Sequence, residues 1–391
     1  MPWLHLYVDT DGLAKACCNA NIVYGNINTQ SLDEIWQGEP IQAFRKFLKD
    51  GKKDKRCHSC FSKEAAGKSS MRTETLEKFN HKMNWVDKTS SDGSSADAQP
   101  IYFDIRFNNL CNLRCRTCWH GASSSWFEEA KLLKQNFGNK AIVEASRDSS
   151  KFVKELLNQG VEVEEIYFAG GEPLMMKEHY DWLEGLIDQK QTTVHLRYNS
   201  NLSVLMLKDR SVLDLWKHFD RVTVSASIDQ MGAEGEYLRK GLSWEKFVDN
   251  IRAIKTQTPF VKIEIAPTVS VLNVASIPAL HQFFVNEQLI DIDSVYLNLL
   301  SRPDYFNIKV LPSSHKKTVS QSIQEHIEWL SARGTKKDLL EEFQALIQFM
   351  YQEDWSGKLP KLKKQLETID QLRGENFQQI FPELKQVLDP F

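Results

Sequence analysis

Cys111, Cys115 and Cys118 stand in the run NNLCNLRCRTCWH, separated by three and then two intervening residues. Three thiolates on one short loop can hold three irons of a cubane iron–sulfur cluster, because such clusters are ligated through cysteine sulfur. The fourth iron would then lack a protein ligand and be open to a small molecule. The same spacing could mark one stripe of a helix, where free cysteines behave as small hydrophobes. However, the run follows a β-rich segment, and Asn108, Asn109 and Asn112 favour a turn. A zinc site would normally want a fourth ligand, for which His120 is the candidate. The cluster loop is the reading that fits all three features.

Four more cysteines lie upstream: Cys17, Cys18, Cys57 and Cys60. Residues 119–391 contain none. A disulfide scaffold would not gather its thiols at one end of a long chain, whereas two thiolate sites in a reducing compartment would. Cys57-His58-Ser59-Cys60 with a distant pair is a good metal pattern, for a second iron–sulfur cluster or for zinc. Adjacent cysteines chelate awkwardly, so one of Cys17 and Cys18 is expected to be a bystander or a redox-active thiol. His58 reads as a spacer.

The elements that must position these residues alternate. β-Rich runs occur at 101–107 (IYFDIRF), 165–169, 193–198, 221–228, 261–271 and 294–300, with helical periodicity between them. Alternating strands and helices argue for an α/β fold with a parallel sheet covered by helices. Six such units suggest an incomplete (β/α) barrel or an open doubly wound sheet, which period alone does not separate. A cysteine-bearing segment at 1–82 precedes them, with Ile41, Phe44, Phe47 and Leu48 at helical spacing. A Ser-, Asp- and Gly-rich connection follows at 83–100. The barrel-like region is expected over 101–310 and a helical extension over 311–391.

The polar residues cluster where parallel α/β folds build their sites, at the carboxyl ends of strands. Gly170-Gly171-Glu172-Pro173 ends the second of these runs. Glycines there permit positive φ and close approach of backbone, and Pro173 is suited to opening a helix. Asn199, Ser200 and Asn201 end the third run. Ser227 and Asp229 end the fourth, with Arg239 ten residues on, and Val271, Leu272 and Asn273 end the fifth. Turn formation, or a surface ion pair for Arg239, is the plain alternative at each.

CNLRCRTC resembles the CxxxCxxC loop that follows the first barrel strand of the radical SAM superfamily. Thr117 stands where that family usually has an aromatic or other apolar residue, and Trp119 comes just after. The resemblance implies a partial (β/α)6 TIM-like barrel with a [4Fe–4S] cluster on Cys111, Cys115 and Cys118. It implies that the open iron chelates the amino and carboxylate groups of S-adenosylmethionine, which is cleaved reductively to a 5′-deoxyadenosyl radical that takes hydrogen from a substrate. GGEP looks like the family's GGE motif, whose carboxylate, here Glu172, meets the methionyl ammonium. By the same resemblance, Asn199 and Asn201 would lie near the ribose. Ser227, Asp229 and Arg239 would lie near the carboxylate and ribose, a guanidinium suiting a carboxylate through its paired donors. Val271 and Asn273 would lie near the adenine. The segment from Cys17 to Cys60 resembles a SPASM or twitch domain holding an auxiliary Fe–S cluster, placed ahead of the barrel rather than after it.

Such enzymes often modify peptides or proteins, so a peptide or protein substrate is expected, with a sugar or other small metabolite as the alternative. An electron donor such as flavodoxin or ferredoxin is implied as partner. A non-catalytic protein that binds zinc or Fe–S as an interaction module is the rival of another class. Hydrophobic content of 41%, charged content of 26% and a net charge of −3 over 391 residues describe an ordinary globular chain. The charge gives no general reason to bind nucleic acid or anionic membrane. No run approaches 18 apolar residues and the N-terminus lacks a secretory pattern, so a cytoplasmic protein is expected.

Overall fold

A computed structural model describes residues 1–65, 69–135, 138–159 and 163–390, and the chain sorts into two compact units. The first comprises residues 1–111, 140–198 and 206–222; the second comprises 112–139, 199–205 and 223–391.

The first unit is organised by a sheet in the order His195–Ser200, Glu165–Phe168, Tyr102–Ile105, His5–Val8, Leu13–Cys17, Ala20–Asn26. The first four strands run parallel and the last two complete an antiparallel meander. The cysteine-bearing segment therefore joins the sheet by its own first strand, with Tyr7 beside Asp104. Side chains alternate across the pleat. Leu6, Val8, Phe103, Ile105, Ile166, Phe168, Leu196 and Tyr198 share one face by register. Against this face pack the helices Ser149–Leu157 and Lys177–Asp188. Trp182 meets Phe103, Phe107 and Phe168 edge-on, with centroids 5.5–6.0 Å apart. The opposite face is polar, carrying Tyr7, Asp104, Tyr167 and Arg197 side by side.

The connection at 83–100 is tied down despite its composition. Trp36 Nε1 donates to the Ala98 carbonyl at 2.8 Å, and Trp3 Nε1 donates to Thr89 Oγ1 at 2.7 Å.

In the second unit, Arg221–Ala226 pairs in parallel with Lys262–Ile265 from Thr223 onward. The single strand expected over 261–271 is broken into Lys262–Ile265 and Thr268–Val269. Pro267 lies between them and has no N–H to give to a ladder. Thr268–Val269 instead pairs with Asn298–Leu299, a shorter strand than the run at 294–300 suggested. Helices Trp244–Gln257 and Ile277–Asn286 pack on each other through Trp244, Phe283 and Phe284. The C-terminal extension is helical as expected: Ser313–Ser331, Lys337–Tyr351, Leu359–Arg373, then two short helices. Parallel strands alternating with helices make this an α/β protein. No helix among the described residues is long and apolar enough to cross a membrane.

Candidate iron–sulfur and S-adenosylmethionine site

The loop after Tyr102–Ile105 is built against the glycine turn. The Glu172 N–H donates to the Leu110 carbonyl at 2.7 Å, one residue before Cys111. Gly171 has φ +52, and a Cβ there would overlap the Leu110 and Asn109 backbone. Gly170 has φ +81, and a Cβ there would stand 2.9 Å from Arg106 Cδ. One glycine thus admits the cysteine loop, and the other leaves room for Arg106. Pro173 opens the short 3-10 turn Pro173–Met175, as its fixed φ favours, and Glu172 Oε1 caps it by accepting from the Leu174 N–H at 3.1 Å. Glu172 is buried.

Cys115 lies in the two-residue strand Arg114–Cys115, opposite Arg239 in an antiparallel ladder. The Arg239 Nη1 stands 4.0 Å from the Cys115 sulfur, and its Nη2 donates to Asp229 Oδ1 at 2.9 Å. Burial would lower the Arg239 pKa, but the Asp229 carboxylate and the Cys115 and Cys118 thiols reverse that and raise it above its ordinary value. Asp229 also accepts from the Thr268 N–H at 2.8 Å. The Cys118 N–H donates to the Cys115 carbonyl at 3.0 Å, closing a turn, and the Cys118 thiol points to the Trp119 carbonyl at 3.7 Å. Trp119 is largely exposed. His120 is buried against Phe127, with ring centroids 5.2 Å apart.

Asn201 Nδ2 donates to Asn112 Oδ1 at 3.1 Å, so the end of the third barrel strand holds the start of the cysteine loop. Ser227 donates its N–H to the Ser200 carbonyl at 2.7 Å. Asn199, at the end of the same strand as Ser200, is half-buried. Asn273 is spent on backbone: its amide donates to the Asp229 and Thr268 carbonyls, and its oxygen accepts from the Ser270 N–H at 2.7 Å. Val271 is buried, its N–H on the Phe306 carbonyl.

The upstream cysteines divide. Cys17 ends Leu13–Cys17 and faces Ala20 across a tight turn. Cys57 ends the 3-10 turn Lys55–Cys57, and Cys60 follows in the helix His58–Ala65, whose first residue is His58. The Cys57 thiol is pushed up to about 11 by burial and by the nearby Cys17, Asp54 and Cys60. Cys17 is raised by burial, and Cys60 adds to the rise. Cys18 is pushed up to about 12 by burial, then by Asp104 on the polar face of the sheet, with Arg106 opposing. Cys17 and Cys57 thus both feel Cys60, while Cys18 is raised chiefly by burial and Asp104, with a smaller contribution from Cys17.

Sequence reasoning passed over Arg106 and Arg116. Arg106 lies 3.0 Å from Asp104 and over the Tyr167 ring at 5.1 Å. Its signal was present: two charges two residues apart in an otherwise apolar strand. Arg116, between Cys115 and Cys118, is fully buried on Asp370 and Glu375, and a separation of 254 residues leaves no local signal.

The donor set suits an iron–sulfur group. Cysteine sulfur is the ligand such clusters take, and the buried cation Arg239 stands 4.0 Å from the Cys115 sulfur, where it would offset the charge of an anionic cluster. As they stand, no three His, Cys, Asp or Glu side chains among the described residues enclose a single metal ion.

Residues 105–266 match the Radical SAM superfamily, and residues 1–61 match SPASM, an iron-sulfur cluster-binding domain. The chain thus carries a radical SAM domain, preceded in sequence by a SPASM domain. A radical SAM domain brings a [4Fe–4S] cluster and S-adenosylmethionine, and a SPASM domain a further iron–sulfur site. No curated protein matches the chain. Among solved structures, native anSMEcpe with bound AdoMet is 17% identical with a TM-score of 0.42, covering 60% of this chain and 62% of that one. Native anSMEcpe with bound AdoMet and Cp18Cys peptide is 16% identical, TM-score 0.41, covering 60% and 61%. TYW1 with a lysine-pyruvate adduct bound is 11% identical, TM-score 0.32, covering 57% and 70%. The chain spans about three-fifths of the length of the anSMEcpe structures, and the assignment rests on the two domain matches.

Proposed function

We propose that this protein is a radical SAM enzyme that removes hydrogen from a peptide or protein substrate. The observation that carries the reading is the hydrogen bond from the Glu172 N–H to the Leu110 carbonyl, which backs the Gly-Gly-Glu turn onto the residue before Cys111. Amine recognition and cluster ligation then share one loop junction.

When bound, a [4Fe–4S] cluster supplies the electron that cleaves S-adenosylmethionine to methionine and a 5′-deoxyadenosyl radical. The chain's part is ligation by Cys111, Cys115 and Cys118, and orientation of the cofactor. Glu172 offers a carboxylate to the methionyl ammonium. Gly170 and Gly171 let the backbone approach, and Pro173 fixes the exit of the turn. Arg239, aligned by Asp229, presents a guanidinium to the methionyl carboxylate, with Ser227 beside it. Asn199 and Asn201 serve the ribose, Asn201 also fixing Asn112. Val271 gives the adenine an apolar wall, and Asn273 shapes the turn that carries Val271. Cys17, Cys57 and Cys60 hold the auxiliary cluster. The peptide assignment is supported by the attachment of this SPASM segment to the barrel sheet, which ties the auxiliary cysteines to the polar face carrying Tyr7, Asp104 and Tyr167.

The test is anaerobic reconstitution with iron and sulfide, reduction, and assay for 5′-deoxyadenosine. The wild-type chain should form the nucleoside and Cys115→Ala should not. No nucleoside from the wild type, or equal amounts from the variant, rejects the reading. Deuterium transfer into 5′-deoxyadenosine from labelled peptide pools, against labelled sugar pools, decides the substrate class.

A further inference from the structure

The helix Leu359–Arg373 buries Leu359, Leu362, Leu366 and Ile369, and next to them the charged Asp370. The helix ends at Gly374, whose left-handed φ of 64 reverses the chain and returns Glu375 toward Asp370. Both carboxylates meet one guanidinium: Arg116 Nη2 lies 2.5 Å from Asp370 Oδ1 and 2.6 Å from Glu375 Oε2. The Arg116 side chain has no exposed surface. Its N–H donates to the Leu238 carbonyl at 2.8 Å, and its guanidinium stacks 3.6 Å over the Tyr237 ring. Tyr237 in turn donates to Asp370 Oδ1 at 2.9 Å.

A second link runs in parallel. Arg373, from the same helix end, pairs with Glu129 at 2.8 Å, and Glu129 also holds Arg114 at 2.8 Å. Both chain neighbours of Cys115 are therefore tied to one helix terminus. Burying a guanidinium with two carboxylates is costly, and an apolar contact of similar volume would often hold two elements together as well or better. The charges call for a role beyond adhesion.

We propose that the C-terminal extension is a charge clamp on the cysteine loop: Asp370 and Glu375, through Arg116, position Cys115 and Cys118 and set the reduction potential of the cluster they would hold. The proposal rests on the reading that these two cysteines are ligands. Arg116 and Lys240, which pairs with Glu375 at 2.8 Å, balance Asp370 and Glu375 in charge. Cluster potential follows the surrounding charge. Removing a carboxylate leaves a cation uncancelled and raises the potential, whereas removing the guanidinium lowers it.

The experiment uses the full chain. Asp370→Asn and Glu375→Gln should each raise the midpoint potential of the reconstituted cluster, Arg116→Met should lower it, and Asp370→Asn combined with Arg116→Met should return toward wild type. In the metal-free chain, amide exchange across residues 112–119 should quicken in Asp370→Asn while exchange in the helix Lys177–Asp188 is unchanged. That second readout holds whether or not a cluster forms. A wild type that takes up no iron rejects the ligand reading, and exchange still decides the clamp. Shifts of one sign in all variants, or exchange at 112–119 equal to wild type, overturn the proposal.

Discussion

Arg239 holds Asp229 and Cys115 at once: Nε and Nη2 stand 2.9 Å from the two Asp229 oxygens, and Nη1 stands 4.0 Å from the Cys115 sulfur. A planar guanidinium fork can donate to a carboxylate through one terminal nitrogen and keep the other toward a thiolate. The ladder partnership of Arg239 with Cys115 fixes the register in which this happens.

Replacing that fork should therefore be felt by both sites it touches. Arg239→Lys keeps the charge and loses the geometry. We expect iron retention and S-adenosylmethionine affinity to fall by about 10- to 100-fold, the range typical when a group supporting a metal ligand is changed. Asp229→Asn leaves a buried guanidinium without its counter-charge and should destabilise the metal-free chain by about 3–5 kcal/mol. Iron analysis and denaturant melts measure the two effects. A lysine variant that matches wild type in both iron and cofactor binding refutes the dual role.

The two glycines of the turn should differ when each is changed to alanine. Both have positive φ, a conformation costing about 1–3 kcal/mol for other residues. At Gly171 the added carbon also meets backbone, which cannot swing aside, whereas at Gly170 it meets the flexible Arg106 side chain. Gly171→Ala should thus melt lower than Gly170→Ala and lose more iron after reconstitution. The reverse order in melting would mean that the turn does not back onto the cysteine loop in solution.

The contrast between what was legible and what was not follows from sequence distance. The strand runs at 101–107 and 165–169 announced themselves because local alternation and β-branched content act within a few residues. So did the cysteine spacing and the glycine turn. The break at Pro267 was readable in principle, since proline has no ladder donor, but an apolar run on both sides masked it. The parallel pairing of His5–Val8 with Tyr102–Ile105 was not readable, because strand partnership across about a hundred residues leaves no local pattern. The family resemblance places Asn273 near the adenine, and the structure adds that its amide donates to the Asp229 and Thr268 carbonyls and its oxygen accepts from the Ser270 N–H, partners no local pattern announces. The grip of Asp370 and Glu375 on Arg116 was invisible for the reason that hides the strand pairing.

The adjacent cysteines give a sharp comparison. Cys17 and Cys57 are each raised by burial and by Cys60, and Cys57 by Cys17 as well, while Cys18 is raised by burial and then by Asp104, with Arg106 opposing and Cys17 adding less. Cys17→Ser should therefore lose the auxiliary iron and keep that of the barrel loop. Cys18→Ser should keep both. Iron and sulfide counts with Mössbauer spectra on the two variants check this, and equal iron loss would show that both sulfurs ligate.

Acid should destabilise the metal-free fold through three buried histidines, His179, His281 and His326. Burial lowers His281 to about 4, with the Ile292 carbonyl and Asp293 opposing, and burial with the facing His281 lowers His326 to about 3. Burial, then Arg210, lowers His179 to about 3. The hydrogen bonds agree with neutral rings. His281 Nε2 donates to the Ile292 carbonyl at 3.0 Å, so its Nδ1 must accept from His326 Nε2 at 3.0 Å, and His326 Nδ1 accepts from Gln282 at 3.2 Å. His179 Nε2 lies 3.0 Å from the Tyr198 hydroxyl. Each folded value lies below the unfolded value near 6.5, so below that pH the unfolded chain binds protons that the folded chain refuses. Stability is full above about 6.5 and falls as pH drops toward 4, by up to about 1.4 kcal/mol per pH unit for each histidine. Urea melts of the metal-free chain between pH 6.5 and 5 should show this slope, and His179→Phe should remove up to one proton's share of it. A stability that is flat across that window would mean these imidazoles titrate normally in the folded chain.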